Sequence, residues 1–189
     1  EMCIRDSLRG GATMIQLREK HMDRGSILAQ ALELRELCGR YGVPLILNDD
    51  AELAQAAGAD GVHVGQSDME AGRVRALLGE DKLIGVSART VEQALAAQAA
   101  GADYLGVGAM FPTGTKQDTR PVSYDTLKAI CAAVDIPVVA IGGIGAGNVA
   151  ELAGSGIAGV AVVSALYAQP DVEAATRSLR AQVERVVGP

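Results

Sequence analysis

The sequence predicts one α/β domain with an all-parallel sheet, in the form of a (β/α)8 TIM barrel, and three observations carry that reading. Short β-branched runs alternate strictly with longer amphipathic runs, the pattern of parallel strands joined by helices. The strands are near-continuous apolar runs, as expected where both faces of a sheet are buried. An αβ joint also repeats: residues 57–65 (AGADGVHVG) resemble residues 100–108 (AGADYLGVG), with a weaker copy at 155–163. Each copy is a helix end, a glycine turn and a strand start, and a joint repeated in this way favours a barrel over an open doubly wound sheet.

The elements follow in order. Residues 14–17 read as the first strand. Ile27, Ala31, Leu34 and Cys38 fall at spacings of 4, 3 and 4, a helical stripe with Ser26 as its candidate N-cap. Residues 44–47 are the second strand, followed by a helix from about 52 to 57. Then come a strand at 61–64 with a helix near 69–78, and a strand at 83–86 with a helix over 90–100. A strand at 104–107 precedes a long loop and a helix near 124–134. A strand at 137–141 leads to a helix over 148–153, and 159–163 is the last strand. Val172, Ala175, Leu179, Val183 and Val186, at spacings of 3, 4, 4 and 3, mark the final helix.

These are seven strand–helix units in 189 residues, whereas a complete barrel takes about 250 residues and at least about 200. The expectation is a barrel without its first strand–helix unit, forming one domain over residues 1–189. Residues 1–7 show no clear periodicity, and we expect them to be a non-native joining segment at the end of a fragment. The strands flanking the gap would then each keep an unpaired edge.

Composition narrows the function. Hydrophobic residues make up 49% and charged residues 21% of the chain, enough for a packed core and unlike a disordered segment. With 3% aromatics and a net charge of −6, neither stacking platforms nor a broadly basic surface for nucleic acid is expected. Cys3, Cys38 and Cys131 show no CxxC spacing and read as incidental thiols of a reducing compartment. No apolar run reaches the roughly 20 residues of a membrane span, and the N-terminus is too polar for a signal peptide. The expectation is a cytoplasmic protein.

In parallel barrels, chemistry sits where strands end and loops lead into helices. After the first strand, Gln16, Arg18 and Lys20 alternate, so they could project into one mouth as an amide and two cations, a set suited to a polyanion such as a diphosphate. Asn48-Asp49-Asp50 follows the second strand, and Gly65-Gln66-Ser67-Asp68 follows the third. Asp49 and Asp68 would end neighbouring strands, and two close carboxylates need a proton or a cation between them. With oxygen ligands only, Mg²⁺ is the natural ion. Asp50 and Asp68 also occupy positions where a helix N-cap would fall.

Ser87 follows the fourth strand. The loop after the fifth holds Thr113-Gly114-Thr115-Lys116, a plausible anion clamp that could order on binding. Gly142-Gly143-Ile144-Gly145 follows the sixth strand, and Ser164 the last. If one unit is absent, these are the loops after strands 7 and 8, where barrels commonly hold phosphate. His63 reads as a hydrogen-bonded interior histidine and His21 as a loop residue. Residues 145–150 fit GxGxxG/A, but the acidic residue that should end the next strand is missing, since Asp171 opens a helix.

Taken together, these blocks resemble the thiamine-phosphate synthase family. The resemblance rests on Gln16-Leu17-Arg18-Glu19-Lys20, Asn48-Asp49-Asp50, residues 61–68, Gly85-Val86-Ser87, residues 112–116, residues 141–144 and Val163-Ser164. It runs from about Met14 to the last helix.

The resemblance implies a (β/α)8 barrel that joins an aminopyrimidine diphosphate to a hydroxyethylthiazole phosphate, giving thiamine phosphate and pyrophosphate with Mg²⁺. It assigns Asp49 and Asp68 to the metal. Gln16, Arg18, Lys20, Asn48, Ser87 and Lys116 would bind the pyrimidine diphosphate. Thr113, Thr115, Gly143, Val163 and Ser164 would hold the thiazole phosphate. Arg18, Lys20, Ser87 and Lys116 would be catalytic. The implied chemistry is dissociative and needs no Cys or Ser nucleophile. The partners expected are these small molecules, with no nucleic acid or membrane, and a homo-oligomer remains open. Two alternatives stand beside the synthase: a thiazole tautomerase on the same barrel, which needs no metal, and a non-catalytic phosphate-ligand binder. Ala158 departs from the Asp60 and Asp103 of the stronger echoes, a change expected to affect only the turn.

Overall fold

A computed structural model describes residues 2–114 and 121–188. Seven parallel strands form one sheet in sequence order: β1 (Ile15–Leu17), β2 (Leu45–Asn48), β3 (Gly61–Val64), β4 (Leu83–Ala88), β5 (Tyr104–Val107), β6 (Val138–Ile141) and β7 (Gly159–Ala161). Helices fill the connections: α1 (Met2–Arg9), α2 (Arg24–Arg40), α3 (Ala51–Ala57), α4 (Ala71–Leu78), α5 (Val91–Ala99), α6 (Tyr124–Ala133), α7 (Ser164–Tyr167) and α8 (Val172–Val187). Among the described residues β1 and β7 do not pair, so the curled sheet of this barrel-like fold stays open between them.

Register decides which side chains face which layer. Leu45, Leu47, Val62, Val64, Ile84, Val86, Leu105, Val107, Val138 and Ala140 alternate along the strands and pack with the helices into the main apolar core. The intervening positions carry a different chemistry: Gln16, Ile46, Asn48, His63, Gly85, Ser87, Tyr104 and Gly106. The pairing places His63 beside Asn48 and Gly85, Gly85 beside Tyr104, and Ser87 beside Gly106. Neighbours in parallel register share a face, so one face of the sheet is oily and the other carries polar groups.

Helix starts show where local signals were read correctly and where they were not. Asp50 caps α3 through Leu53 N (2.8 Å), and Asp171 caps α8 through Ala174 N (2.8 Å), as aspartates at helix starts should. Ser26 does not cap α2. The carboxylate of Asp23, three residues earlier, accepts from both Ser26 N (3.0 Å) and Ser26 Oγ (2.6 Å), so Ser26 is a partner of the cap. Asp68 caps nothing either, because Glu70 is the N-cap of α4. The helix expected over 148–153 is a single 3-10 turn, Val149–Leu152, and the last strand ends at Ala161.

Residues 1–7, read as lacking periodicity, enter a helix at Met2. Ile4 and Leu8, one turn apart, turn toward the core, and two apolar positions are too few to register as a period. The helix ends against α8, where a Cβ on Gly10 would stand 2.5 Å from Thr176 Cβ and 2.6 Å from the Glu173 carbonyl oxygen. Arg180 Nη1 donates to the Gly11 carbonyl at 2.9 Å.

The repeated Ala-Gly-Ala-Asp joint has a structural purpose. Asp60 N donates to Leu45 O (2.9 Å) and Asp103 N to Ile84 O (2.8 Å). Each carboxylate returns the bond, accepting from Leu45 N (2.8 Å) and Ile84 N (2.7 Å). Ala158 keeps the backbone half, to Val138 O at 2.8 Å, so its departure removes only the side-chain staple. Arg75 extends the second copy, donating to Asp103 Oδ2 (2.7 Å) and to the carbonyls of Lys82 (2.6 Å) and Gly101 (3.0 Å).

The three thiols are unpaired to one another. Burial, with Asp60 nearby, pushes the Cys38 thiol up to about 11. Thiolate is the reactive form, so exposed Cys3 should react first with a thiol reagent at neutral pH and Cys38 only on unfolding. Timed labelling followed by peptide mass mapping reads this directly. Labelling of Cys38 at the rate of Cys3 in the native protein would contradict its burial.

Candidate active site

Because all seven strands are parallel, the segments that follow them gather at one end of the sheet. After β1, Glu19 Oε1 accepts from Lys20 N (2.8 Å) and His21 N (2.9 Å). These N–H groups, His21 first, hold its carboxyl below the usual range. The turn they make ends the alternation expected to aim Arg18 and Lys20, since β1 stops at Leu17. Arg18 is half-buried and Lys20 exposed, and neither forms an ion pair among the described residues.

At the ends of β2 and β3, Asp49 N donates to His63 O at 2.8 Å. Asp49 adopts φ 67°, a left-handed conformation that costs a non-glycine residue energy and commonly marks functional sites. Asp68 lies four residues past β3, and its carboxylate folds back so that Oδ2 accepts from Gly65 N at 2.7 Å. The cap position read from sequence is thus replaced by a loop clasp that brings this carboxylate to the strand end, one strand from Asp49. Both residues are half-buried. No group of three or more His, Cys, Asp or Glu able to hold a metal occurs among the described residues. Two carboxylates alone do not make a cage, and such a pair would suit an ion that keeps water and takes phosphate oxygens, which is the habit of Mg²⁺.

Gln66 Nε2 donates to the Ser87 carbonyl at 2.7 Å, joining the β3 loop to the end of β4. Beneath this rim His63 stands between two partners, with Nε2 2.8 Å from Ser87 Oγ and Nδ1 3.1 Å from Tyr104 Oη. The hydrogen-bonded histidine read from sequence is what the structure contains, though it is half-buried and not fully interior. Burial, followed by the charge of Asp103, pushes the Tyr104 phenol well above its ordinary value, and a hydrogen bond with the Gln16 side chain draws it partly back. Gln16 therefore reaches across to β5. Tyr104 was not singled out by sequence reasoning. A phenol in an otherwise aliphatic strand, beside glycines, was the available signal.

The opposite side of the rim is built by glycine. Met110 N donates to Ile141 O and Phe111 N to Gly142 O, both at 3.0 Å, tying the β5 and β6 loops together. Gly143 has φ 66°, and a Cβ there would stand 2.5 Å from Pro112 O. Only glycine allows this approach. A Cβ on Gly145 would stand 3.6 Å from Ala165 Cβ, so the loop after β7 adjoins as well. Thr113 is half-buried, Gly143, Val163 and Ser164 are exposed, and Ser164 opens α7. Thr115 and Lys116 lie outside the described residues. The GxGxxG-like segment is a turn, in which Asn148 Oδ1 accepts from Gly145 N (2.9 Å) and its Nδ2 donates to Gly143 O (2.8 Å).

Loops carrying carboxylates, cations and glycines at one end of a parallel α/β sheet are the arrangement that barrel enzymes acting on phosphorylated small molecules use. The family model described as thiamine monophosphate synthase matches residues 1–166, and the chain belongs to that family. It is 48% identical over 179 residues to a thiamine-phosphate synthase of Ruminiclostridium cellulolyticum, covering 95% of this chain and 85% of that protein. It is 52% identical over 181 residues to that of Chloroflexus aurantiacus, covering 95% and 83%. A solved thiamine phosphate pyrophosphorylase from Pyrococcus furiosus superposes with TM-score 0.91 at 39% identity, over 99% of this chain and 90% of that one. A 3-hexulose-6-phosphate synthase, at 20% identity and TM-score 0.72, shares the fold alone. Like its synthase relatives, this chain is a transferase of thiamine biosynthesis.

Proposed function

We propose that this protein joins the aminopyrimidine diphosphate to the hydroxyethylthiazole phosphate, releasing pyrophosphate and forming thiamine phosphate. The observation that carries the reading is the pairing of two unlike anion-fitting clusters at one end of the sheet. Carboxylates and cations lie after β1–β3, and glycine-containing loops lie after β5 and β6, with Val163 and Ser164 after β7. A reaction between a diphosphate and a monophosphate needs both.

In this reading Asp49 and Asp68 hold Mg²⁺, which supplies charge neutralisation at the departing diphosphate. Arg18, Lys20 and Lys116 add positive charge where negative charge develops on the leaving group. Gln16 and Asn48 hold the pyrimidine, and Ser87 offers a hydroxyl to the diphosphate. Thr113, Thr115, Gly143, Val163 and Ser164 grip the thiazole phosphate and so orient the thiazole nitrogen. The reaction is dissociative: the C–O bond to pyrophosphate breaks before the nitrogen lone pair forms the new C–N bond. A ring nitrogen with a free lone pair needs no general base.

The test is to mix the protein with both substrates and Mg²⁺ and look for thiamine phosphate. Formation of product that stops with EDTA is the expected result. A folded protein that binds both substrates and never yields product under these conditions would overturn the reading.

A single-residue expectation accompanies it. A Cβ on Gly85 would collide with the Tyr104 ring and stand 2.5 Å from His63 Nδ1. Gly85→Ala is therefore expected to cost about 2 kcal/mol of stability as the rings are displaced, read by urea unfolding. An unchanged midpoint would show that the rings can move freely.

A further inference from the structure

Three polar side chains from three strands form a hydrogen-bonded line across the sheet's inner face, Tyr104 on β5, His63 on β3 and Ser87 on β4, and the Gln16 side chain on β1 lies near the Tyr104 phenol. Glycines clear the space they occupy. A Cβ on Gly106 would stand 2.9 Å from His63 Cε1, and one on Gly85 would strike both rings. The two rings sit 5.5 Å apart, tilted by 42°, so their packing holds the nitrogens of His63 on their partners. The proposed chemistry uses Gln16 and Ser87 but gives no role to the two residues between them.

A neutral imidazole has one donor and one acceptor nitrogen. The line can therefore run in two orders. In one, Ser87 donates its hydroxyl hydrogen to His63 Nε2, His63 Nδ1–H donates to Tyr104, and Tyr104 donates to the Gln16 carbonyl. Ser87 then shows only lone pairs to the site. In the other, the Gln16 amide donates to Tyr104 Oη, Tyr104 donates to Nδ1, and Nε2–H donates to Ser87 Oγ. Ser87 then has its hydrogen available for the site. Only the second order suits an anion beside Ser87, because lone pairs facing a diphosphate oxygen would repel it. A phenol held well above its ordinary value remains a donor, as both orders require, so the anion beside Ser87 is what selects between them.

We propose that Tyr104 and His63 are positioning residues that fix His63 as its Nε2–H tautomer and so make Ser87 a hydrogen-bond donor to a bound diphosphate. The diphosphate, and with it the choice of order, rests on the synthase reading; the tautomer is measured independently of turnover. Substitutions along this line change what Ser87 presents without touching Asp49, Asp68 or the cations.

His63 and His21 are the chain's two histidines, so nitrogen-15 labelling of histidine gives two ring spin systems, assigned with His21→Gln. The expected result is a neutral His63 protonated at Nε2 and bare at Nδ1. Inorganic pyrophosphate with Mg²⁺, titrated by calorimetry, should bind Tyr104→Phe about tenfold more weakly than the parent, the loss expected of one hydrogen bond to a charged group. His63→Gln, which keeps an N–H toward Ser87, should recover most of what His63→Leu loses. An Nδ1–H tautomer in the parent protein would overturn the proposal. So would parental pyrophosphate affinity in a Tyr104→Phe protein whose unfolding midpoint is unchanged. A protein that shows the Nε2–H tautomer and binds pyrophosphate, yet never turns over the two substrates, would sink the synthase reading and leave the relay standing.

Discussion

Replacing Asp49 with alanine is expected to lower turnover about a hundredfold to a thousandfold, the size of effect seen when a preorganised charge contact to the transition state is removed. Its carboxylate stands at the end of β2, on a residue held at φ 67° by a bond from its own N–H to His63 O. Alanine gains no benefit from that backbone conformation, so a modest stability loss should accompany the loss of rate.

Asp68 needs a gentler change, because its Oδ2 also accepts from Gly65 N. Asp68→Asn keeps an oxygen there and removes the charge. It should fold with the parent's midpoint, lose rate, and regain part of it at high Mg²⁺. Asp50→Ala is the contrast. It removes the α3 cap and the exposed pair with Arg24, costing about 1 kcal/mol of stability with turnover retained. Steady-state formation of thiamine phosphate, measured beside urea unfolding, separates the three. Full thiamine-phosphate formation in Asp49→Ala would mean that the reaction does not depend on a metal held by this carboxylate.

Asp103→Ala should be the costliest change away from the site, at about 2 kcal/mol. The substitution strips Ile84 N of one acceptor and deprives Arg75, 15% exposed, of its carboxylate. Asp103 itself is 38% exposed, so solvent screening trims the charge part of this figure. Asp103→Asn retains an acceptor for Ile84 N and should lose about half as much. The linear slope against urea should stay constant while the midpoint falls. A midpoint unchanged in Asp103→Ala would show that the staple is dispensable on β4, as its absence at Ala158 shows it to be on β6.

How much was legible in the sequence can be argued residue by residue. Asp50 as an N-cap, His63 as a hydrogen-bonded histidine and the loops after each strand depend on contacts within a few residues or on a simple period, and these were readable. The capping alternative for Asp68 fell away because Glu70, two residues on, takes the α4 start, and sequence spacing cannot rank two carboxylates. Helix α1 escaped notice because Ile4 and Leu8 alone supply its apolar face.

The sequence by itself determined the alternating order of elements, the parallel sheet, the chemistry carried at each strand end and the likeness to a thiamine-phosphate-forming family. Only the tertiary structure decided that Gln16 meets Tyr104, that His63 lies between Tyr104 and Ser87, and that the Gly142–Gly143 turn lies against the backbone of Phe111 and Pro112. Those pairs are 24 to 88 residues apart. Their meeting depends on strand register and on the curl of the sheet, and neither quantity is written in the local period of the chain.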